Sequence, residues 1–298
     1  MFFYLEWYDK RPFQLTIIKE KPNKISFIKS FRIDKEEHFI CANITSEFHN
    51  YYPPNKLRYT KPHYLSSHLQ KCIRRMDDIK SVKTAKHFFD VDQNAFLRRL
   101  PIIMLEDVTI HESFPILIWL MVAKSKGFTF KIEMLKWLLG VVLHLSTCNE
   151  KTHYLNNEIN EQSVTQNDSI FLQTLRIRKR YGGMKGDMNM IEYYTQLISN
   201  NKVKINNNRI VTIKLNMEPL HRNEWIYQAN DFHCNRYIIQ KIKKVCNGYS
   251  EAYIKELIWK FSSSINHRIL NEDNKKQKED WNKISKIVKK IQKSCIYY

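Results

Sequence analysis

Glycine and proline are scarce in this chain of 298 residues, which contains only 6 Gly and 8 Pro. Both residues interrupt regular structure, so their scarcity favours long continuous elements over a fold built from many tight turns. The 16 Tyr, 16 Phe and 43% hydrophobic residues can fill a substantial core and argue against a disordered chain. We therefore predict a mainly α fold, in which helices are joined by polar loops.

Cysteine is also sparse, and the six cysteines form no CxxC pair and no dense cluster. This spacing argues against zinc fingers and against a disulfide-rich secreted domain. The amino terminus carries charges within its first eleven positions, and Lys136 and His144 interrupt the longest apolar run, near residues 134–145. Because a bilayer span needs about 20 apolar residues, we expect no signal peptide, no membrane span and an intracellular, reducing compartment such as the cytoplasm, the nucleus or a viral factory.

Negative charge is in short supply, since 49 Lys and Arg stand against 30 Asp and Glu, a formal net charge of +19. The surplus is largest in residues 221–298, where sixteen basic side chains stand against eight acidic ones. Such a surplus is typical of proteins that bind polyanions, because each neutralised phosphate releases counterions. Two alternatives stay open. In the first alternative, the partner is an acidic protein or a membrane surface. In the second, the lysines reflect AT-rich coding and form a solvated surface without a ligand.

Residues 1–60 are predicted to form a small β-rich element. Residues 13–18 and 24–29 are rich in β-formers, and the pair 22–23 (Pro-Asn) is the predicted turn between them. Prolines in residues 51–62 favour an extended connector. Its cations and rings are typical either of single-strand nucleic-acid contact or of packing onto the following helices. These residues are Lys56, Arg58, Tyr59, Lys61 and Tyr64.

From residue 61 to residue 147 the apolar spacing becomes helical, and a bundle of four or five helices fits. Pro101 is expected to kink the third helix, because its ring removes a backbone donor. Ser113 is expected to cap the fourth helix, which Gly127 ends. Gly140 interrupts the fifth helix, where close helix packing would account for it.

The remaining chain is predicted to consist of a polar loop and a basic, mainly helical part. Residues 148–169 are rich in asparagine and lack periodicity, which is typical of an exposed loop or a domain boundary. Residues 170–298 form the helical part, which is also compatible with a short β-hairpin over residues 203–215. Its last helix is amphipathic, because apolar residues share one face and lysines occupy the others.

Two basic segments are the predicted contacts for nucleic acid. The first is a basic helix followed by a glycine-containing loop, residues 182–186, whose backbone amides can approach a phosphate. An ordinary turn is the alternative for that loop. The second segment is the amphipathic last helix. The predicted contact residues are Arg176, Arg178, Lys179, Arg180, Lys185, Lys283, Lys286, Lys289, Lys290 and Lys293.

One stretch of the helical block is similar to a known family. The motifs LQKCIR (residues 69–74), FLRRL (residues 96–100) and EDV (residues 106–108) precede a helix that ends in glycine. Their order resembles the helical carboxy-terminal collar of replication-associated recombination protein A, the MgsA-type AAA+ family related to clamp loaders. The resemblance covers residues 64–147 and implies self-association and a role in replication or repair. The family's ATPase module is missing, because the chain has no GxxxxGK[ST] motif.

Two arginines and two acids within these motifs have a physical interpretation of their own. One arginine and one acid are expected to pair across the kinked helix, while the other arginine faces solvent. Phosphate contact is the alternative. We assign these residues to structure or self-association: Arg98, Arg99, Glu106 and Asp107.

Scattered His, Cys and Asp residues show no spacing typical of a metal site or a catalytic site. His38, Cys41 and His49 lack finger spacing, as do His233, Cys234 and Cys246. We therefore predict no catalytic residue, no metal and no cofactor. The leading hypothesis is a non-enzymatic factor that binds DNA or RNA without sequence preference and self-associates. A structural or adaptor protein of an assembly, for example a viral one, is the first alternative, and an enzyme with a dispersed site is the second.

Overall fold

A small sheet precedes a helical body in this protein. The computed structural model describes residues 1–8, 11–44, 47–55, 57, 61–152, 169–221, 224–229, 236–269 and 274–294. Within these residues four strands form one sheet and ten α-helices follow. The predicted mainly α fold with an amino-terminal β element is therefore confirmed. None of the helices in these ranges combines the length and the apolarity that crossing a bilayer requires.

The sheet packs its central strands against the helices. Its strands are β1 (Phe2–Tyr8), β2 (Arg11–Ile18), β3 (Phe27–Ile33) and β4 (Glu36–Ile44). Their order is β2-β1-β4-β3, with β1 antiparallel to β2 and parallel to β4. Alternate residues of β1 are buried, which is the pattern of a strand with one face on a core. Trp7 meets Trp137 edge to face at 5.5 Å, and the Trp119 indole donates to the Phe3 carbonyl at 3.0 Å.

The predicted hairpin between residues 13–18 and 24–29 does not form. The first segment lies in β2 and the second overlaps the start of β3, and these two strands occupy opposite edges of the sheet. The centre is filled by β1, which precedes both segments predicted as strands, and by β4. Local sequence patterns indicate that a strand is present but do not choose its partner, so the parallel pairing of β1 with β4 was missed.

Residues 61–147 form five helices, where the sequence predicted four or five. They are α1 (Pro62–Arg74), α2 (Asp78–Val91), α3 (Gln93–Asp107), α4 (Phe114–Ser125) and α5 (Ile132–Thr147). Asp77 and Asp92 cap α2 and α3 by accepting backbone amide hydrogens. Gly127, with φ of +86°, ends α4 as predicted. Ser113 occupies the cap position of α4, but its hydroxyl lies 2.9 Å from His111 Nδ1 and makes no cap bond.

Residues 203–215 form neither a helix nor a strand, and the hairpin that the sequence permits is absent. The backbone of Asn206 is hydrogen-bonded to Ile110 and Glu112, so this part of the chain is tied to the connection between α3 and α4. Farther on, the segment crosses α5 at Gly140, where an added Cβ would stand 2.1 Å from the Val211 carbonyl oxygen. Gly140 therefore admits a passing backbone and not a second helix.

The carboxy-terminal part contains five more helices. They are α6 (Ile170–Arg180), α7 (Lys185–Ser199), α8 (Arg236–Val245), α9 (Glu251–Ile258) and α10 (Lys275–Ser294), and a π-helical turn, Trp259–Ser263, extends α9. Of the predicted loop 148–169, residues 153–168 lie outside the described residues. The helices α8, α9 and α10, called the carboxy-terminal bundle here, share a separate apolar core. Its buried residues are Ile239, Ile242, Cys246, Ile254, Leu257, Ile258, Ile284 and Val288.

His68 joins α1 to the segment of residues 224–229. Its side chain is fully buried, its Nδ1 lies 2.8 Å from the Thr84 hydroxyl, and its Nε2 accepts the Ile226 amide hydrogen at 2.9 Å. Because Nε2 accepts, the neutral ring carries its proton on Nδ1. Burial, with a smaller effect of Lys80 and Arg75, lowers the pKa of His68 to about 3.

Acid should destabilise the protein through His68. Since the folded pKa lies below the unfolded one, the unfolded chain binds the extra proton, and stability is lost as the pH falls from 6.5 towards 3. At about pH 4.5 the contribution of this group is about 2–3 kcal/mol. His68→Asn should reduce the difference in unfolding free energy between neutral pH and about pH 4.5 by that amount, measured by urea titration. His63→Asn, an exposed change on the same helix, is the control. An unchanged pH dependence in His68→Asn would contradict the assignment.

Gly140→Ala tests the crossing of α5 by residues 203–215. The new methyl group would displace the Val211 carbonyl, so we expect a loss of about 1–3 kcal/mol in unfolding free energy despite the better helix propensity of alanine. Gly186→Ala in α7 is the matched control, because a Cβ there meets open space. Equal urea midpoints for the two variants would show that the backbone does not pass so close.

Candidate nucleic-acid interface

The outer side of α10 is basic along its length. The four residues at 286, 289, 290 and 293 are spaced i, i+3, i+4 and i+7, which places them on one face of the helix. Ile284 and Val288 lie on the other side and are buried in the bundle core. Exposed lysines also occur earlier in the helix. We call the whole set the α10 lysine face: Lys275, Lys276, Lys278, Lys283, Lys286, Lys289, Lys290 and Lys293.

Few acids neutralise this face. The described residues 236–269 and 274–294 contain fifteen Lys and Arg against four Asp and Glu. Asp280 pairs with Lys283 at 3.1 Å and also accepts hydrogen bonds from Tyr249 and Tyr253. Within the described chain, Lys286 and Lys290 form no ion pair. A positive field therefore persists along the helix.

Tyr227 holds two of these lysines. The ammonium groups of Lys289 and Lys293 lie 5.6 and 6.0 Å from the centroid of the Tyr227 ring. Such distances are typical of cation–π contacts. The ring belongs to a 3-10 turn, Tyr227–Ala229, that packs on both α1 and α10. The contact therefore orients the end of α10 relative to the helical block.

A buried ionic cluster lies where α1 and α3 end. Arg74 is 6% exposed and donates from Nε to Asp107 at 2.5 Å and from Nη2 to Glu106 at 2.7 Å. Gln70 donates to both acids, and Arg99 pairs with Glu106 at 3.4 Å. We call these five residues the ionic cluster. Arg99 also reaches Asp187 at 3.6 Å, which ties α7 to the cluster.

In the ionic cluster, burial disfavours the charged form of each side chain, whereas pairing with an opposite charge favours it. Burial alone lowers the pKa of Arg74, but the adjacent Asp107 and Glu106 outweigh it, and the pKa of Arg74 is raised. Burial and the neighbouring Asp107 raise the pKa of Glu106, although Arg74 and Arg99 oppose this shift. The cluster is thus held together by pairing that compensates desolvation of each charge.

Residues 262–268 dock the carboxy-terminal bundle onto the helical block beside this cluster. The Arg268 guanidinium donates to the carbonyls of Ile73 at 2.9 Å, Leu145 at 2.5 Å and Cys148 at 2.6 Å. It therefore satisfies carbonyls at the carboxyl ends of both α1 and α5, where the helix dipole also favours a cation. Asn266 donates to the Asp107 carbonyl at the end of α3 at 2.9 Å.

Of the two arginines singled out in the sequence, one forms an ion pair and the other is exposed. Arg99 pairs with Glu106, while Arg98 is exposed and donates to the Tyr181 carbonyl at 2.9 Å. Asp107 pairs instead with Arg74, which the sequence analysis did not treat as a site residue. The sequence contained only a weak indication that Arg74 belongs to this cluster: Gln70 and Arg74 are four residues apart and therefore share the inner face of α1.

The first predicted basic segment is largely engaged in internal contacts. Arg176 pairs with Asp34 at 2.7 Å, and Lys179 pairs with Glu192. Arg178 is 3% exposed and donates to the carbonyls of Gly182 at 2.8 Å and Arg98 at 2.9 Å. Burial lowers its pKa to about 10.

The sequence predicted that Arg178 contacts phosphate, and this prediction is wrong. The side chain instead connects the turn between α6 and α7 to α3 through its two hydrogen bonds. Arg180 and Lys185 are exposed and form no ion pair with a described residue. The helices of this segment pack on α3 and α4, whereas α10 packs within the carboxy-terminal bundle and on residues 227–229. The two basic segments therefore pack on different parts of the protein.

His111 and the described cysteines are engaged in packing and internal hydrogen bonds. His111 accepts at Nδ1 from the Ser113 amide and donates from Nε2 to the Asn208 carbonyl at 2.8 Å. Across the described ranges, no group of three His, Cys, Asp or Glu residues can hold a metal ion. Cys41, Cys72, Cys148 and Cys246 are free and buried. Several sequence candidates lie outside the described residues, namely His233, Cys234, Lys56, Arg58 and Tyr59.

Removing Arg74 should unfold the protein far more readily than removing a surface arginine. Arg74→Met leaves two acids beside one another at a buried site, and we expect a loss of about 3–5 kcal/mol in unfolding free energy. Adding Asp107→Asn should recover part of this loss, because it removes the buried unpaired charge. Arg176→Met, which breaks the exposed pair with Asp34, should leave the urea midpoint unchanged. Similar midpoints for Arg74→Met and Arg176→Met would contradict the importance of the cluster.

No family model, no curated protein and no solved structure matches this chain. The resemblance of residues 64–147 to a clamp-loader collar stays a prediction.

Proposed function

We propose that this protein binds the phosphate backbone of DNA or RNA, without sequence preference, through the α10 lysine face. The proposal rests on one observation, the alignment of Lys286, Lys289, Lys290 and Lys293 on the exposed side of a helix with few acids nearby. Lysines held on one face attract a line of phosphates more strongly than the same number scattered over a surface.

The dimensions of α10 suit this ligand. The helix contains 20 residues, and at a rise of about 1.5 Å per residue it is about 30 Å long. One turn of duplex is about 34 Å long and carries charge every 1.7 Å or so along its axis. The face can therefore meet several phosphates at the same time. Contacts to phosphate carry no base information, which accounts for the proposed lack of sequence preference.

A membrane surface fits α10 less well. Amphipathic helices that bind lipid insert an open apolar face between the headgroups. In this protein the apolar face of α10 is occupied, since Ile284 is 3% exposed and Val288 is fully buried in the bundle core. Insertion would require the carboxy-terminal bundle to open. Attraction of the lysines to phosphate needs no such change.

Two further observations support parts of the proposal. Arg180 and Lys185, at the end of α6 and the start of α7, offer a smaller second contact for phosphate. The four cysteines in the described residues are free, which fits a reducing compartment, where both DNA and RNA occur.

Binding should weaken steeply with salt. We expect the wild-type chain to bind a labelled oligonucleotide of about 20 nucleotides, with the logarithm of the association constant falling linearly against the logarithm of salt between about 50 and 200 mM. Replacing Lys286, Lys290 and Lys293 by Gln should weaken binding and reduce the slope by about 2–3, measured by fluorescence anisotropy.

The matched control removes three exposed lysines of the sheet region, Lys19, Lys21 and Lys24, by the same Gln substitutions. Both triple variants have the same net charge. An equal effect of the two triple variants would show that total charge, and not the α10 lysine face, determines affinity. Absence of binding at low salt would reject the proposed function, and tighter binding to phosphatidylserine vesicles would favour the adaptor alternative.

A further inference from the structure

A cleft lies beside β2, at one edge of the sheet, far along the fold from α10. It consists of two cavities, of about 480 and 700 Å³. Arg11, Arg209 and Ile210 line both cavities, so the two adjoin. We call them together the β2 cleft. Each volume is in the range of about 300–1,000 Å³ that is typical of small-molecule sites.

Apolar side chains from several elements line the first cavity. They include Leu15 of β2, Pro115 of α4, Trp137 of α5 and Phe171 of α6. Trp137 is 3% exposed and meets Trp7 edge to face at 5.5 Å, so its indole is held in the core behind the cavity. A ligand with an apolar part would therefore bury that part between packed elements, which favours binding.

Two arginines stand where the cavities adjoin. Arg11 begins β2, and Arg209 lies in the segment that crosses α5. Both side chains are exposed, and neither forms an ion pair or a hydrogen bond with any described residue. A guanidinium group donates parallel hydrogen bonds to a carboxylate or a phosphate. The two arginines are thus available for an anionic group.

The acids of the cleft lie away from this junction. Glu133 lines only the second cavity and pairs with Lys136 at 3.6 Å. Glu112 lines only the first cavity. The residues common to both cavities are therefore two cations and one aliphatic side chain, which suits an anion that carries an apolar part.

The edge of the sheet is irregular beside the cleft. The register of β1 with β2 shifts between Glu6, which faces Gln14, and Trp7, which faces Pro12. Such bulges change the direction of side chains and are frequent next to functional sites. Pro12 also has no N–H group, so this part of the edge is poorly suited to pairing with another strand. A small ligand fits here better than an added strand.

We propose that the β2 cleft binds a small organic anion, whose carboxylate or phosphate group is held by Arg11 and Arg209 and whose aliphatic part lies against Leu15 and Pro115. The cleft shares no residue with the α10 lysine face. The proposal therefore stands or fails independently of nucleic-acid binding.

Three compounds with the same aliphatic chain separate charge from apolar burial: octanoate, octyl phosphate and octanol. We expect at least one of the two anions to bind the full chain about 10-fold or more tightly than octanol, measured by isothermal titration calorimetry. Octanol keeps the apolar chain but offers no charge to the arginines. The tighter of the two anions identifies the anionic group that the cleft prefers.

A double variant tests the two arginines. Arg11→Gln combined with Arg209→Gln should weaken binding of the anions by about 10-fold or more and leave octanol unaffected. The matched control combines Arg32→Gln with Arg180→Gln, which removes two exposed arginines outside the cleft. Both double variants have the same net charge, and the control should bind the anions as the wild type does.

Each contrary result is specific. If neither anion binds at about 1 mM, or octanol binds as tightly as the anions, the proposal is overturned. An unchanged affinity in the Arg11 and Arg209 double variant would also overturn it, as would an equal loss in the control, since total charge would then account for the binding. None of these results affects the test of the α10 lysine face.

Discussion

Pairing of Arg74 with Asp107 and Glu106 is the interaction on which the arrangement of the molecule depends. Burying charges is costly unless they are paired and hydrogen-bonded, and this site meets both conditions. The ends of α1, α3 and α5 converge beside the pair, and Arg268 satisfies carbonyls of two of these helices. The carboxy-terminal bundle is therefore joined to the helical block by directional polar contacts, which fix its orientation as well as its position.

The positive charge of the chain lies partly on arginines with internal contacts and partly on lysines that face outward. Several arginines, among them Arg74, Arg178 and Arg268, are engaged inside the protein, where a planar guanidinium can donate to several acceptors. The lysines of α10 face outward, and two of them are held by Tyr227. A net charge of +19 therefore overstates what a ligand meets, since part of it maintains the fold. Eight of the exposed lysines lie on α10.

Sequence periodicity predicted the local elements well and the long-range partners poorly. The helices of residues 61–147 and the amphipathic α10 follow from apolar spacing, because each buries one face. The parallel pairing of β1 with β4 and the path of residues 203–215 depend on contacts between distant segments, which local patterns do not encode. The internal contacts of Arg178 and Arg74 were not predicted, because their partners lie far away in the chain.

The central claim is that a fixed bundle presents the α10 lysines to phosphate, and lysine footprinting tests it most directly. Acetylation of the full chain, with and without a bound oligonucleotide, reports by mass spectrometry which ammonium groups the ligand covers. We predict protection of Lys286, Lys289, Lys290 and Lys293, with Lys19, Lys21 and Lys24 equally reactive in both states. Protection confined to Lys185 and its neighbours, or uniform across all lysines, would contradict the account.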